Sequence, residues 1–171
     1  MAILPIRTVP DPVLREKGKR IRTIDNSIIK LAADMLETMH DAPGVGLTAC
    51  QVGIPIRLVV IGNIADVEDF VLVNPEVVKT KGVRTVTEGC LSIPGYSGII
   101  KRAEQVTVKG KDLEGREIRI KAYDLLAQAL EHEIDHSNGI LYIDHLENES
   151  DLKKVKPGEE EMEDAEEVTE E

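Results

Sequence analysis

A chain of 171 residues is long enough for one domain with a single sizeable core and too short for two ordinary ones. Only four residues are aromatic (Phe70, Tyr96, Tyr123, Tyr142), so Ile, Leu, Val and Ala must build that core, and a protein that reads nucleic acid by stacking bases on aromatic rings is disfavoured. The formal charge of −11 is uneven: residues 158–171 hold nine of the 32 carboxylates and no base, leaving 23 acids against 21 bases in residues 1–157, so no polybasic footprint for nucleic acid or anionic membrane is expected.

No stretch approaches the roughly 18 apolar residues of a membrane helix, and Met1–Pro12 shows neither a signal-peptide core nor a transit pattern, which implies a cytoplasmic protein. Two cysteines, Cys50 and Cys90, are too few for a disulfide scaffold; in a reducing compartment such residues bind metal, act in catalysis or are buried.

In chain order, Pro10-Asp11-Pro12 marks an early turn. Asp25 can cap a first helix in which Ile28, Ala32, Met35 and Met39 recur at helical spacing, ending near Asp41–Gly44. Leu58–Ile61 and Phe70–Val73 are continuous apolar runs of strand length, and Val106–Val108 and Ile118–Ile120 alternate across Gly110–Gly115 as a hairpin. A second helix is predicted from an Asp124 cap through Leu125, Ala129 and His132 to His136, with Gly139 to stop it. Helix, many strands, helix argues for an α+β fold of mostly antiparallel strands. Residues 1–150 are expected to form the catalytic domain and 151–171 a disordered acidic tail.

The second helix carries His132-Glu133-Ile134-Asp135-His136, an H-E-x-x-H sequence. Residues four apart share a helix face, so both imidazoles point to one place, with Glu133 near enough to reach a metal-bound water without binding the metal. Two satisfied histidines on a polar helix edge would leave the same pattern. A catalytic metal needs a third ligand and an open position. A metzincin would have a third His at 142, where this chain has Tyr142, and a gluzincin needs a downstream Glu on another helix, for which the 35 residues after His136 leave little room. Cys90, in Glu88-Gly89-Cys90-Leu91-Ser92, remains, with Gly89 allowing a sharp turn; a small buried cysteine is the plainer reading of that residue alone. In Gly44-Val45-Gly46-Leu47-Thr48-Ala49-Cys50-Gln51, the glycines permit close backbone approach and Gln51 offers an amide donor for a developing oxyanion.

GVGLTACQ, EGCLS and HEIDH, in this order and at these separations, closely resemble the three signatures of the peptide deformylases, G-x-G-x-A-A-x-Q, E-G-C-L-S and H-E-x-D-H. The likeness extends to AILPIRTVPDPVLR, IKRAEQVTVKGKDLEG and NGILYIDHL, covering roughly residues 1–147. It departs at Thr48, where the family has Ala, and at Glu131, where it has Gln. The resemblance implies Cys90, His132 and His136 as ligands of one divalent metal per chain, with Fe(II) favoured over Zn(II), Ni(II) or Co(II). It implies Glu133 as acid/base, the Gln51 side chain and Leu91 N–H as oxyanion donors, and hydrolysis of the N-formyl group of formylmethionyl nascent chains to formate. Gly44, Val45, Gly46, Leu125 and Ala129 are then expected to line a cleft that takes the peptide as an added strand, with Tyr96 and Ser97 close by. A bacterial cytoplasm, transient ribosome proximity and no direct nucleic-acid or membrane site complete the expectation. An H-E-x-x-H zinc peptidase, which would not depend on Cys90, and a binding protein that has lost turnover are the competing readings.

Overall fold

In the computed structural model, which describes residues 2–155, Asp25 caps helix α1 (Asn26–Asp41), its carboxylate accepting the N–H groups of Ser27 and Ile28. Ala32, Met35 and Met39 lie on one face of α1 and are completely buried. Two polar residues of α1 are buried as well, and both anchor the chain's beginning: Asp34 accepts the Ala2 N–H at 2.7 Å and Thr38 the Leu4 N–H at 2.9 Å.

A five-stranded antiparallel sheet has the order β1 (Gly46–Thr48), β2 (Leu58–Ile61), β3 (Phe70–Lys81), β6 (Gln105–Lys111), β7 (Glu117–Tyr123). A second sheet pairs β4 (Arg84–Cys90), β5 (Ile93–Arg102) and β8 (Leu152–Lys154). The unbroken apolar run of β2 has a physical reason, since all four of its residues are buried. Leu58 and Val60 pack with α1, whereas Val59 and Ile61 pack with Ala127, Ala129, Leu130 and Ile134 of helix α2 (Asp124–Ser137). The first sheet is therefore covered on both faces around β2, and α2 is pressed onto it by an apolar stripe whose polar edges are free to carry chemistry.

The predicted hairpin is β6–β7, closed by a turn in which Asp112 accepts the N–H groups of Glu114 and Arg116 and Gly115 takes φ +81°. Gly139, at φ +72°, ends α2 as expected.

Three expectations need correction. Asp124 makes no side-chain cap: Tyr123 is the N-cap, Asp124 has φ +52°, and its carbonyl accepts from the Arg84 guanidinium. Gly89 does not turn the chain sharply, because it has no positive φ and only marks the register shift between Glu88 and Cys90 at the end of β4. The body does not end at residue 150, since Leu152–Lys154 pair with Gly98, Ser97 and Tyr96; the expected disorder of the remaining tail, 156–171, lies outside the described residues. No helix among the described residues is long and apolar enough to cross a membrane.

Candidate metal centre

His132 and His136 stand on one face of α2 because they are one turn apart, and β4 brings Cys90 against them from the second sheet. His136 Nε2 is 3.2 Å from His132 Nε2 and 3.3 Å from Cys90 Sγ, and all three donor atoms lie within 4.8 Å of one another. Ligands at the usual tetrahedral distances from one ion are about 3.3–3.6 Å apart. The donor set thus fits a single metal ion both in chemistry and in spacing.

The orientation of His132 is enforced from behind. Its Nδ1–H donates to Glu88 Oε1, leaving the Nε2 lone pair toward the centre. Glu88 is held in turn by Arg102, Nε to Oε2 at 3.0 Å and Nη2 to Oε1 at 2.6 Å. Arg102 continues through Nη1 to Asp135 Oδ2 at 2.7 Å, and His145 Nε2 meets the same oxygen at 2.8 Å. Burial alone would raise the Glu88 carboxyl, but hydrogen bonds from His132 and Arg102 prevail and hold it down at about 2. His132 is likewise raised against the cost of its burial, by Cys90, Glu133 and Glu88, whereas burial and the neighbouring His132 charge lower His136.

Glu133 is buried at 2% exposure, and burial pushes its carboxyl up to about 7. One of its oxygens, Oε1, is 3.9 Å from His132 Nε2, and the other, Oε2, has no hydrogen-bond partner among the described residues. A carboxylate this dry and this close to the donor triad is suited to exchanging a proton with water there. Gly46 makes room for it: a Cβ at that position would sit 2.6 Å from Glu133 Cγ.

Gln51 is oriented at both ends of its amide. Oε1 accepts the Thr48 N–H at 2.9 Å, and Nε2 donates to Ser92 Oγ at 3.1 Å while lying 3.8 Å from Cys90 Sγ. Thr48, the departure from the family pattern, spends its hydroxyl on the Glu133 carbonyl at 3.0 Å. Glu131, the other departure, accepts the Ala103 N–H at 2.9 Å and lines a concavity that the histidines do not. Cys50 is buried with its thiol directed to the His136 carbonyl at 3.6 Å, and burial pushes its pKa up to about 12, so it is a packing residue rather than a reactive thiol.

Of the expected cleft residues, Val45 and Ala129 meet in the same apolar cluster, while Gly44 lies against the Leu91 side chain. Leu125 is 43% exposed and outside that cluster. Tyr96 and Ser97 belong to β5 where it pairs with β8. Glu88, Arg102, Asp135 and Ser92 are supports that the sequence reading did not assign; Glu88 and Ser92 stood within the quoted EGCLS motif, but nothing in the spacing announced Arg102 as the partner of Glu88. A separate concavity of about 500 Å³ is lined by Glu131, Ile134 and Asp135 of α2 and by Asn138 just past its end, not by the histidines.

Fold and centre together define an α+β protein whose H-E-x-x-H helix and opposing cysteine can hold one metal ion, the arrangement of a mononuclear metallohydrolase. Residues 3–151 match the family model described as polypeptide deformylase, and the chain belongs to that family. It is 54% identical over 160 residues to the peptide deformylase of Dehalococcoides mccartyi, covering 94% of this chain and 96% of that one. With the peptide deformylase of Thermomicrobium roseum it shares 44% identity over 172 residues, covering 96% and 98%. Among solved structures, a peptide deformylase from Legionella pneumophila superimposes with a TM-score of 0.82 at 39% identity, covering 99% of this chain and 100% of that one. One from Synechococcus elongatus, in complex with actinonin, gives 0.82 at 42% identity, covering 86% and 81%.

Proposed function

We propose that this chain removes the N-formyl group from the formylmethionine that begins newly made polypeptides, releasing formate and a free amino terminus. The observation that carries the reading is the convergence of Cys90, His132 and His136 beside a buried Glu133, in a member of this family. The three side chains are assigned as ligands of one divalent ion, Fe(II) in preference to zinc, nickel or cobalt. When bound, such an ion supplies a Lewis acid that lowers the pKa of water from about 15.7 toward about 7.

The chain's own groups do the rest. Glu133 takes a proton from the attacking water as its oxygen adds to the formyl carbon. The Gln51 amide and the Leu91 N–H donate to the oxyanion that forms on the formyl oxygen, and losing such a donor costs about 10²- to 10³-fold in rate. Glu133 then returns the proton to the leaving nitrogen as the C–N bond breaks, leaving formate and the amine. Gly44–Gly46, Val45 and Ala129 form one wall of the peptide cleft, with Leu125 at its exposed rim. We place the activity in a bacterial cytoplasm, close to emerging chains.

Formate release from a formyl-Met tripeptide by anaerobically prepared, iron-loaded protein tests this reading. Activity is expected in the parent and, in Glu133→Ala, retained metal with at least 10²-fold lower kcat. Cleavage of internal peptide bonds without formate release would instead support the peptidase reading.

A further inference from the structure

The loop at Gly44 lies between parts of the site that have opposite needs. On one side Gly44 presses on Leu91, a Cβ there falling 2.9 Å from Leu91 Cδ1, and two residues on Gly46 presses on Glu133. Gly46 is secured by the sheet, through its pairing with Ile61. Gly44 is not part of any strand. Its N–H donates to the Met39 carbonyl at 3.0 Å, and its carbonyl is taken by the Asn63 side chain, Nδ2 donating at 2.7 Å, while the next carbonyl, Val45, accepts the Gly62 N–H at 3.0 Å. Asn63 is held at φ +56°, a left-handed conformation that asparagine tolerates better than most residues and that turns its amide back on the loop. Behind it, His40 at the end of α1 is bonded through Nε2 to Asp69, whose carboxylate lies over Gly62. Asp69 foremost, and then Asn63, favours the charged form of His40. The segment between β2 and β3 thus reaches across to the end of α1 and the turn after it by three polar links, from Gly62, Asn63 and Asp69, none of which touches a metal donor.

We propose that Asn63, seated by the His40–Asp69 pair, is a positioning residue that fixes the Gly44–Val45 wall of the peptide cleft and so sets substrate affinity. The proposal rests on the deformylase reading of that cleft. Because the sheet holds Gly46 independently, releasing the Gly44 carbonyl loosens the wall against which the peptide is laid while leaving Glu133 supported. Loss of the link therefore acts on KM and not on kcat.

The test is Asn63→Gly, which keeps access to the left-handed conformation and deletes only the amide, alongside Asp69→Asn, in the iron-loaded enzyme on a formyl-Met tripeptide. One hydrogen bond of this kind predicts a KM raised about three- to tenfold in Asn63→Gly, a smaller rise in Asp69→Asn, kcat within about twofold of the parent, and unchanged metal content. Parental KM in Asn63→Gly, or a fall in kcat with KM unchanged, overturns the positioning role. Absence of formate release by the parent overturns the deformylase reading instead, so the two failures are distinguishable.

Discussion

Arg102→Met isolates the supports behind His132. The guanidinium and its partner Glu88 are 2% and 4% exposed at the side chain and share two hydrogen bonds of 2.6 and 3.0 Å. Methionine fills much of the volume but leaves the Glu88 carboxylate buried with His132 as its remaining strong partner. Breaking a buried pair by removing one member costs about 3–5 kcal/mol. A second route gives the same order: Glu88 is held at about 2 against an ordinary 4.5 in spite of its burial, a net shift worth about 3 kcal/mol at about 1.36 kcal/mol per unit. We therefore expect a loss of about 3 kcal/mol, read from urea unfolding at pH 7 with an unchanged m-value. The sign with pH follows. A depressed carboxyl stabilises the fold fully above its unfolded value near 4.5 and loses that contribution as pH falls toward 2, so parent and variant should converge in acid. Because Glu88 also orients the His132 ring, metal affinity should fall about 10- to 100-fold, measured by competition with a chelator. A loss below 1 kcal/mol together with an unaltered chelator midpoint would refute this account of the network.

Gly46→Ala places a Cβ 2.6 Å from Glu133 Cγ and should lower kcat at least tenfold with metal retained, checked by paired kinetics and metal analysis; parental kcat would show that Glu133 can yield. Met35→Ala empties a fully buried site of α1 and should cost about 2–5 kcal/mol in chemical unfolding without changing KM. Asp34 is held below the ordinary carboxylate range, first by the Ala2 N–H, so its contribution is present above about 3.8 and disappears as pH drops through its lower folded value. Asp34→Asn should accordingly destabilise at pH 7 and progressively less as the pH falls below about 3.8.

Much of this molecule is written locally. The Asp25 cap, the Met35–Met39 stripe, the Asp112–Gly115 turn and the i, i+4 histidines are short-range patterns, and each appears where its spacing puts it. What escaped is long-range or weakly patterned. Arg84–Cys90 and Ile93–Arg102 mix Gly, Pro, Thr and charge, so neither reads as a strand until they pair with each other. Leu152–Lys154 has two lysines in three residues and is a strand only because β5 offers it an edge. The Asp124 cap failed because an Asx residue before an apolar stretch suits several turn geometries, and here Tyr123 takes the cap position while Asp124 begins the helix at φ +52°. Arg102 shows the limit most plainly: one of two adjacent basic residues, Lys101 and Arg102, becomes a buried anchor only because β4 and α2 bring Glu88 and Asp135 within its reach.

X-ray absorption at the metal edge of the iron-loaded chain, compared with Cys90→Ser, addresses the assignment on which the mechanism depends. One ion per chain, coordinated by one sulfur and two imidazole nitrogens in the parent and by no sulfur in the variant, is the predicted result. A sulfur-free spectrum from the parent, or a variant that keeps both the ion and the parental spectrum, would contradict it.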